Sequence, residues 1–200
     1  MGLGKKVLNV DIDGVLTVDT CTKVLEWINQ VYGASFNASD VYQFNQTLKV
    51  SNGDNIKLGP LFREFTKDKD FVMSLTPDGN AVDLIRFLSD CYYINIVSSR
   101  PEESFNYTLE WLNKNNIYYD SVEILSSKLI GDVLVDDYDE NILRFLNNNN
   151  ANKLGVLLLQ PWSINNPETN KIPCYDKRFK MCYNWNEVYD ELNNFWNLIT

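Results

Sequence analysis

The sequence predicts an α/β fold: a central parallel sheet covered on both faces by helices, with a small helical cap inserted after the first strand. Three observations carry that expectation. A short, mostly apolar run, Val7–Val10, ends in two carboxylates one residue apart, Asp11 and Asp13. From residue 76 onward, strand-length apolar runs alternate with amphipathic helical patterns, as parallel strands joined by crossover helices do. Between about residues 20 and 69 the pattern is helical and more polar, over a stretch longer than one crossover needs. The expected division is a core of residues 1–16 and 76–200 and an inserted cap of residues 17–75.

The elements follow in order. Val7–Val10 reads as a buried strand. Val24, Leu25, Ile28, Val31 and Tyr32 recur at helical spacing. Ser39-Asp40 reads as the cap of a second helix, and Pro60 as opening a third. Gly53 and Gly59 mark loops. After Thr76-Pro77-Asp78-Gly79 comes a helix with Ala81, Leu84, Ile85 and Leu88 on one face. Tyr92–Val97 is a strand ending in Ser98-Ser99-Arg100. Pro101 suits the first position of the next helix, whose apolar stripe is Phe105, Leu109 and Leu112. Strands at Val122–Leu125, Val133–Val135 and Leu154–Leu159 follow, with a helix over Tyr138–Leu146 between the last two. Asn147–Asn150 is a polar exit, and Trp185–Leu198 closes the chain as an amphipathic helix.

Composition removes several classes of function. At 200 residues and 44% hydrophobic, the chain can bury a sizeable core. Its net charge of −9 comes with no basic cluster, so duplex nucleic acid is not an expected partner. No run approaches the roughly 18 apolar residues of a membrane span. Cys21, Cys91, Cys174 and Cys182 lack CxxC spacing and read as reduced thiols, which with the MGLGKK start points to a cytoplasmic protein. There is no histidine at all, which rules out imidazole-based nucleophile systems and imidazole metal ligands. Carboxylates, hydroxyls, lysine, arginine or an oxygen-loving metal must carry any chemistry.

In open parallel sheets, ligands bind beyond the carboxyl ends of the strands. Asp11 and Asp13 lie at one such end, Ser98 and Ser99 at another, and Asp136 and Asp137 at a third, with Lys128 shortly before it. Four carboxylates in one cleft need a cation, and oxygen-only ligands suit Mg²⁺. Mg²⁺, Lys128 and a Ser98 hydroxyl would together orient a phosphoryl group. One carboxylate could attack phosphorus while a second, two residues on, handles the proton.

The segment Asp11-Ile12-Asp13-Gly14-Val15-Leu16-Thr17 resembles the first motif of the haloacid dehalogenase-like (HAD) hydrolases. Ser98 resembles their second motif, Lys128 their third and Asp136-Asp137 their fourth. The segments Asp70–Ala81 and Asp132–Asp137 are similar to the 5′(3′)-deoxyribonucleotidase branch. Gln160-Pro161-Trp162-Ser163 and Asn184-Trp185-Asn186-Glu187-Val188 resemble the ending of its bacterial and phage members. The resemblance implies a HAD-like Rossmannoid three-layer fold and a Mg²⁺-dependent phosphomonoesterase working through an aspartyl-phosphate. By the same resemblance Asp11 is the nucleophile, Asp13 the general acid/base, and Ser98, Ser99 and Lys128 the phosphate holders. The metal would be held by Asp11, the Asp13 carbonyl and Asp137, with Asp136 as support or alternative ligand. Asn141 stands where many relatives carry another acid. The implied substrate is a small phosphorylated molecule, foremost a (deoxy)nucleoside monophosphate. A sugar phosphate or other phosphorylated metabolite is the alternative, and a non-catalytic phosphate- or nucleotide-binding protein a third reading. Relatives are often dimers, so a homodimer is allowed.

Overall fold

The computed structural model describes residues 4–148, 152–166 and 176–199. Cys174 and the end of the Asn147–Asn150 run lie outside these residues. The strands are β1 (Lys6–Val10), β2 (Thr47–Lys49), β3 (Asn55–Lys57), β4 (Tyr92–Ser98), β5 (Ser121–Ile124), β6 (Val133–Asp136), β7 (Leu154–Leu158) and β8 (Phe179–Cys182). The helices are α1 (Thr20–Tyr32), α2 (Leu58–Phe65), α3 (Lys69–Ser74), α4 (Gly79–Leu88), α5 (Phe105–Lys114), α6 (Asp139–Asn147), α7 (Pro161–Asn165) and α8 (Trp185–Ile199). Six strands form one parallel sheet in the order β5-β4-β1-β6-β7-β8.

Strand periodicity divides the sheet's side chains between two apolar layers. On one face Leu8, Val10, Ile94, Ile96, Val133 and Val135 pack with Ile85 of α4, Trp111 of α5, and Trp185 and Leu192 of α8. On the other, Val97, Leu134 and Leu157 pack with Ile142, Phe145 and Leu146 of α6. Helices thus cover both faces, as near-continuous apolar strands require.

The segment between β1 and α4 has its own apolar cluster, with Val24, Leu25, Ile28, Leu48, Ile56 and Leu58 buried together. Besides helices it contains an antiparallel hairpin of β2 and β3, which the helical reading of this stretch did not foresee. Three-residue strands with one inward side chain each leave no period long enough to recognise. Ser39-Asp40 opens no long helix: Asn37 caps a single 3₁₀ turn, accepting from the Ser39 N–H. Gly59 lies inside α2 rather than in a loop. Val72 and Leu75, though within residues 17–75, pack into the core cluster beside α5. Where the chain enters and leaves this segment its two arms are paired, with Val18 N–H donating to the Thr76 carbonyl and Asp78 N–H to that of Leu16.

Further elements differ from expectation, α3 and α7 among them, which were not read as helices. Pro101 precedes a 3₁₀ turn (Glu102–Ser104), and the buried side of the following helix is Thr108, Trp111 and Leu112, leaving Phe105 exposed. The Trp111 indole, on the buried side, donates to the Leu75 carbonyl at 2.9 Å. β8 was not expected either, since the four residues Phe-Lys-Met-Cys are too few for a strand period to stand out.

Candidate active site

The sheet winds outward in both directions from β1, through β4 and β5 on one side and β6, β7 and β8 on the other. β1 and β6 therefore meet where the strand order reverses, the place where such sheets leave a crevice. The Asp11 N–H donates to the Val135 carbonyl at 3.0 Å, which sets Asp11 beside Asp136. Carboxylate oxygens of Asp11, Asp136 and Asp137 lie within 4.8 Å of one another, and all three residues are buried.

Lys128 enters this group from the loop after β5. Its ammonium sits 2.9 Å from Asp11 Oδ1 and 2.8 Å from Asp136 Oδ2, and its backbone is left-handed at φ 59°. Such a conformation is uncommon for a side-chain-bearing residue, so its neighbours must enforce it. Asn9 in β1 donates to the Ile130 carbonyl, Lys153 donates to the Leu129 carbonyl at 2.7 Å, and Ser126 Oγ accepts the Lys128 N–H.

The carboxylates differ in what already satisfies them. Asp136 accepts from Lys128, from both oxygens' contacts with Asn141 Nδ2 (3.2 and 3.1 Å), and from the Tyr138 N–H. Asp137 accepts from the Trp162 indole at 2.9 Å. Burial pushes the Asp11 carboxyl up to about 7, with Lys128 opposing and Asp136 and Asp13 adding to the rise. Burial likewise raises Asp137 well above the usual carboxylate range, reinforced by Asp136 and Asp11. Burial works against the Lys128 ammonium, yet Asp11 and Asp136 outweigh it and raise its proton affinity. Ionising all three buried carboxylates against the one Lys128 ammonium would leave a double negative charge, which is why burial favours their protonated forms until a cation joins them. A hard dication with oxygen ligands fits that donor set.

Asp13 is not in this group. Arg100 Nε donates to its Oδ2 at 2.8 Å and Arg100 Nη2 to its Oδ1 at 2.7 Å, with Thr20 Oγ1 donating to Oδ1 at 3.1 Å. Burial would raise the Asp13 carboxyl, but the Arg100 guanidinium overrides it and holds the group below its usual range. Gly14 turns the chain beside it at φ 80°, and a Cβ there would stand 2.1 Å from Asp137 Oδ2. Only glycine fits both the conformation and the approach.

A cavity of about 340 Å³ opens over these residues. Every site residue read from the sequence lines it: Asp11, Asp13, Ser98, Ser99, Lys128, Asp136 and Asp137. Ser98 is buried and accepts the Arg100 N–H at 3.1 Å, whereas Ser99 is exposed at the rim. Residues 17–75 add Phe44, stacked on Phe62 at 5.6 Å between ring centres, with Phe44 also 6.4 Å from Tyr138 of the core. Sequence reasoning gave no role to Arg100 or Thr20. Arg100 carried one usable signal, its place two residues after Ser98 at a strand end.

A family model described as 5′ nucleotidase, deoxy (pyrimidine), cytosolic type C protein matches residues 5–192. A search of curated proteins finds no match. Among solved structures, a haloacid dehalogenase-like family hydrolase from Streptococcus pneumoniae aligns with TM-score 0.59 at 11% identity, covering 93% of this chain and 97% of that one. A phosphonoacetaldehyde hydrolase-like protein from Oleispira antarctica aligns with TM-score 0.62 at 8% identity, covering 96% and 93%. YfnB from Bacillus subtilis, described as a HAD-hydrolase bound to magnesium, aligns with TM-score 0.56 at 11% identity, covering 96% and 100%. At these identities the likeness is one of fold.

Proposed function

Because the chain belongs to the family of deoxy (pyrimidine), cytosolic type C 5′ nucleotidases, we propose that this phosphatase is Mg²⁺-dependent, works through an aspartyl-phosphate and acts on (deoxy)nucleoside monophosphates. The observation that carries this reading is the juxtaposition of Asp11, Lys128, Asp136 and Asp137 in one buried cluster. The Asp11 and Asp137 carboxylates, together with the Asp13 carbonyl, would hold the metal. Asp136 already serves Lys128, Asn141 and a backbone N–H, and so acts as support. When bound, Mg²⁺ supplies charge neutralisation for the phosphate and for the developing pentavalent centre.

Asp11 attacks phosphorus, forming the acyl-phosphate as the bond to the leaving oxygen breaks. Asp13, whose ionised form Arg100 favours, first takes up a proton from solvent, gives it to that oxygen, and then takes one from the water that hydrolyses the intermediate. Lys128 and the Ser98 hydroxyl neutralise and orient the phosphoryl oxygens. Residues 17–75 act as a cap that limits water and contributes the Phe44–Phe62 wall, a flat apolar surface suited to a base.

The test is phosphate release from dUMP, dTMP, ribonucleotides and sugar phosphates, with and without Mg²⁺. Release from nucleoside monophosphates is expected to require Mg²⁺ and to exceed release from sugar phosphates. Asp11→Asn is expected to lose about 10³-fold or more while keeping the far-UV circular dichroism of the wild type. Undiminished turnover by that variant would sink the mechanism.

A further inference from the structure

The Arg100 side chain is fully committed at the site. It is 3% exposed, in a wall of a water-accessible cavity, and each arm of its guanidinium is engaged. Nε and Nη2 form a fork on the two oxygens of Asp13, and Nη1 donates to Thr108 Oγ1 at 3.3 Å. Its own backbone is tied to Ser98 Oγ. The fork reaches from the end of β4 to the loop after β1, and its outer arm is braced by the buried Thr108 of α5.

A carboxylate two residues beyond Asp11 would otherwise be free to turn toward any cation held by Asp11 and Asp137. A bidentate guanidinium fixes both the position and the plane of the carboxylate it grips. Counting acceptor sites shows what the fork leaves open. Oδ1 receives two donors, from Arg100 and Thr20, whereas Oδ2 receives only Arg100 Nε. One lone pair of Oδ2 therefore remains to carry a transferable proton.

We propose that Arg100 is a positioning residue: its fork keeps the Asp13 carboxylate out of the Asp11–Asp136–Asp137 cluster and presents Oδ2 to the leaving-group oxygen. This rests on the phosphatase reading and deepens it. Arg100 acts through Asp13 and not on the substrate, so its effect depends on how much the leaving group needs a proton. A nucleoside leaves as an alkoxide and needs one. p-Nitrophenol leaves as a stabilised phenolate and does not.

The experiment compares kcat/KM for a deoxynucleoside monophosphate and for p-nitrophenyl phosphate, since this ratio reports the steps up to leaving-group departure. In Arg100→Ala, kcat/KM for the nucleotide is expected to fall about 100-fold or more, and that for p-nitrophenyl phosphate less than about fivefold. Arg100→Lys keeps the charge without the fork and is expected to keep most of the nucleotide deficit. Equal losses on both substrates, no loss on either, or full recovery with lysine would overturn the proposal. Thr108→Val preserves shape and the ion pair while removing the brace. If Arg100→Ala does not fold, Thr108→Val carries the test, with a nucleotide-selective loss of about threefold or more expected and an equal loss or none overturning it. A wild-type protein inactive on both substrates with Mg²⁺ would refute the phosphatase reading itself, which is a separate result.

Discussion

Gly14 shows how tightly one position can be bound to its neighbours. Its φ of 80° suits glycine, and a methyl group would meet the Asp137 carboxylate at 2.1 Å and the Trp162 ring at 2.9 Å. An alanine must therefore both strain the backbone, at a cost of about 1–3 kcal/mol, and push Asp137 off its indole donor. Gly14→Ala is expected to lower the melting temperature and, beyond that, to erase most of the additional stabilisation that millimolar Mg²⁺ gives the wild type. A thermal melt with and without Mg²⁺ measures both. A variant that melts lower but keeps the full Mg²⁺ shift would show that Asp137 is not a ligand. Gly14 and Asp137 were both legible as residues of interest. Their contact was not, because it joins positions more than a hundred residues apart.

At the scale of elements, α8 is the clamp on the loop after β1. Trp185, its first residue, is 1% exposed, and its indole N–H donates to the Val15 carbonyl at 3.0 Å. The helix was readable from its apolar periodicity; what it holds in place was not. Trp185→Phe keeps most of the buried ring and removes the donor, leaving the Val15 carbonyl without that partner. The expected destabilisation is about 1–3 kcal/mol, read as a lower urea midpoint at unchanged slope. A change within a few tenths of a kcal/mol would mean that the carbonyl finds another donor. Elements that escaped the sequence reading share a cause. β2, β3 and β8 have three or four residues each, too few for a period of two to stand out, and are held by their partners rather than by their own pattern.

For the whole molecule, the cavity exists because residues 17–75 and the core meet across it. Phe44 stacks on Phe62 and reaches Tyr138, which directly follows Asp137 at the end of β6. This aromatic wall faces a cavity whose opposite chemistry is ionic, an arrangement that can hold a ring and a phosphate at once. Phe44→Ala is expected to raise KM for a deoxynucleoside monophosphate about tenfold, consistent with the energy of one aromatic contact, and to leave inhibition by inorganic phosphate unchanged. Parallel weakening of phosphate would mean that the ring organises the site rather than the base.

The acidic strand ends, the hydroxyl pair, Lys128 and the alternation that builds a parallel sheet were all determined by the sequence alone. They depend on chain order and on side-chain periods, both of which are local. The Arg100 fork on Asp13 spans 87 residues of sequence, and the Phe44 wall belongs to a segment whose elements are short. Such contacts arise only when the sheet, its helices and residues 17–75 have packed, so the tertiary structure alone decided how Asp13 is held and what lines the cavity.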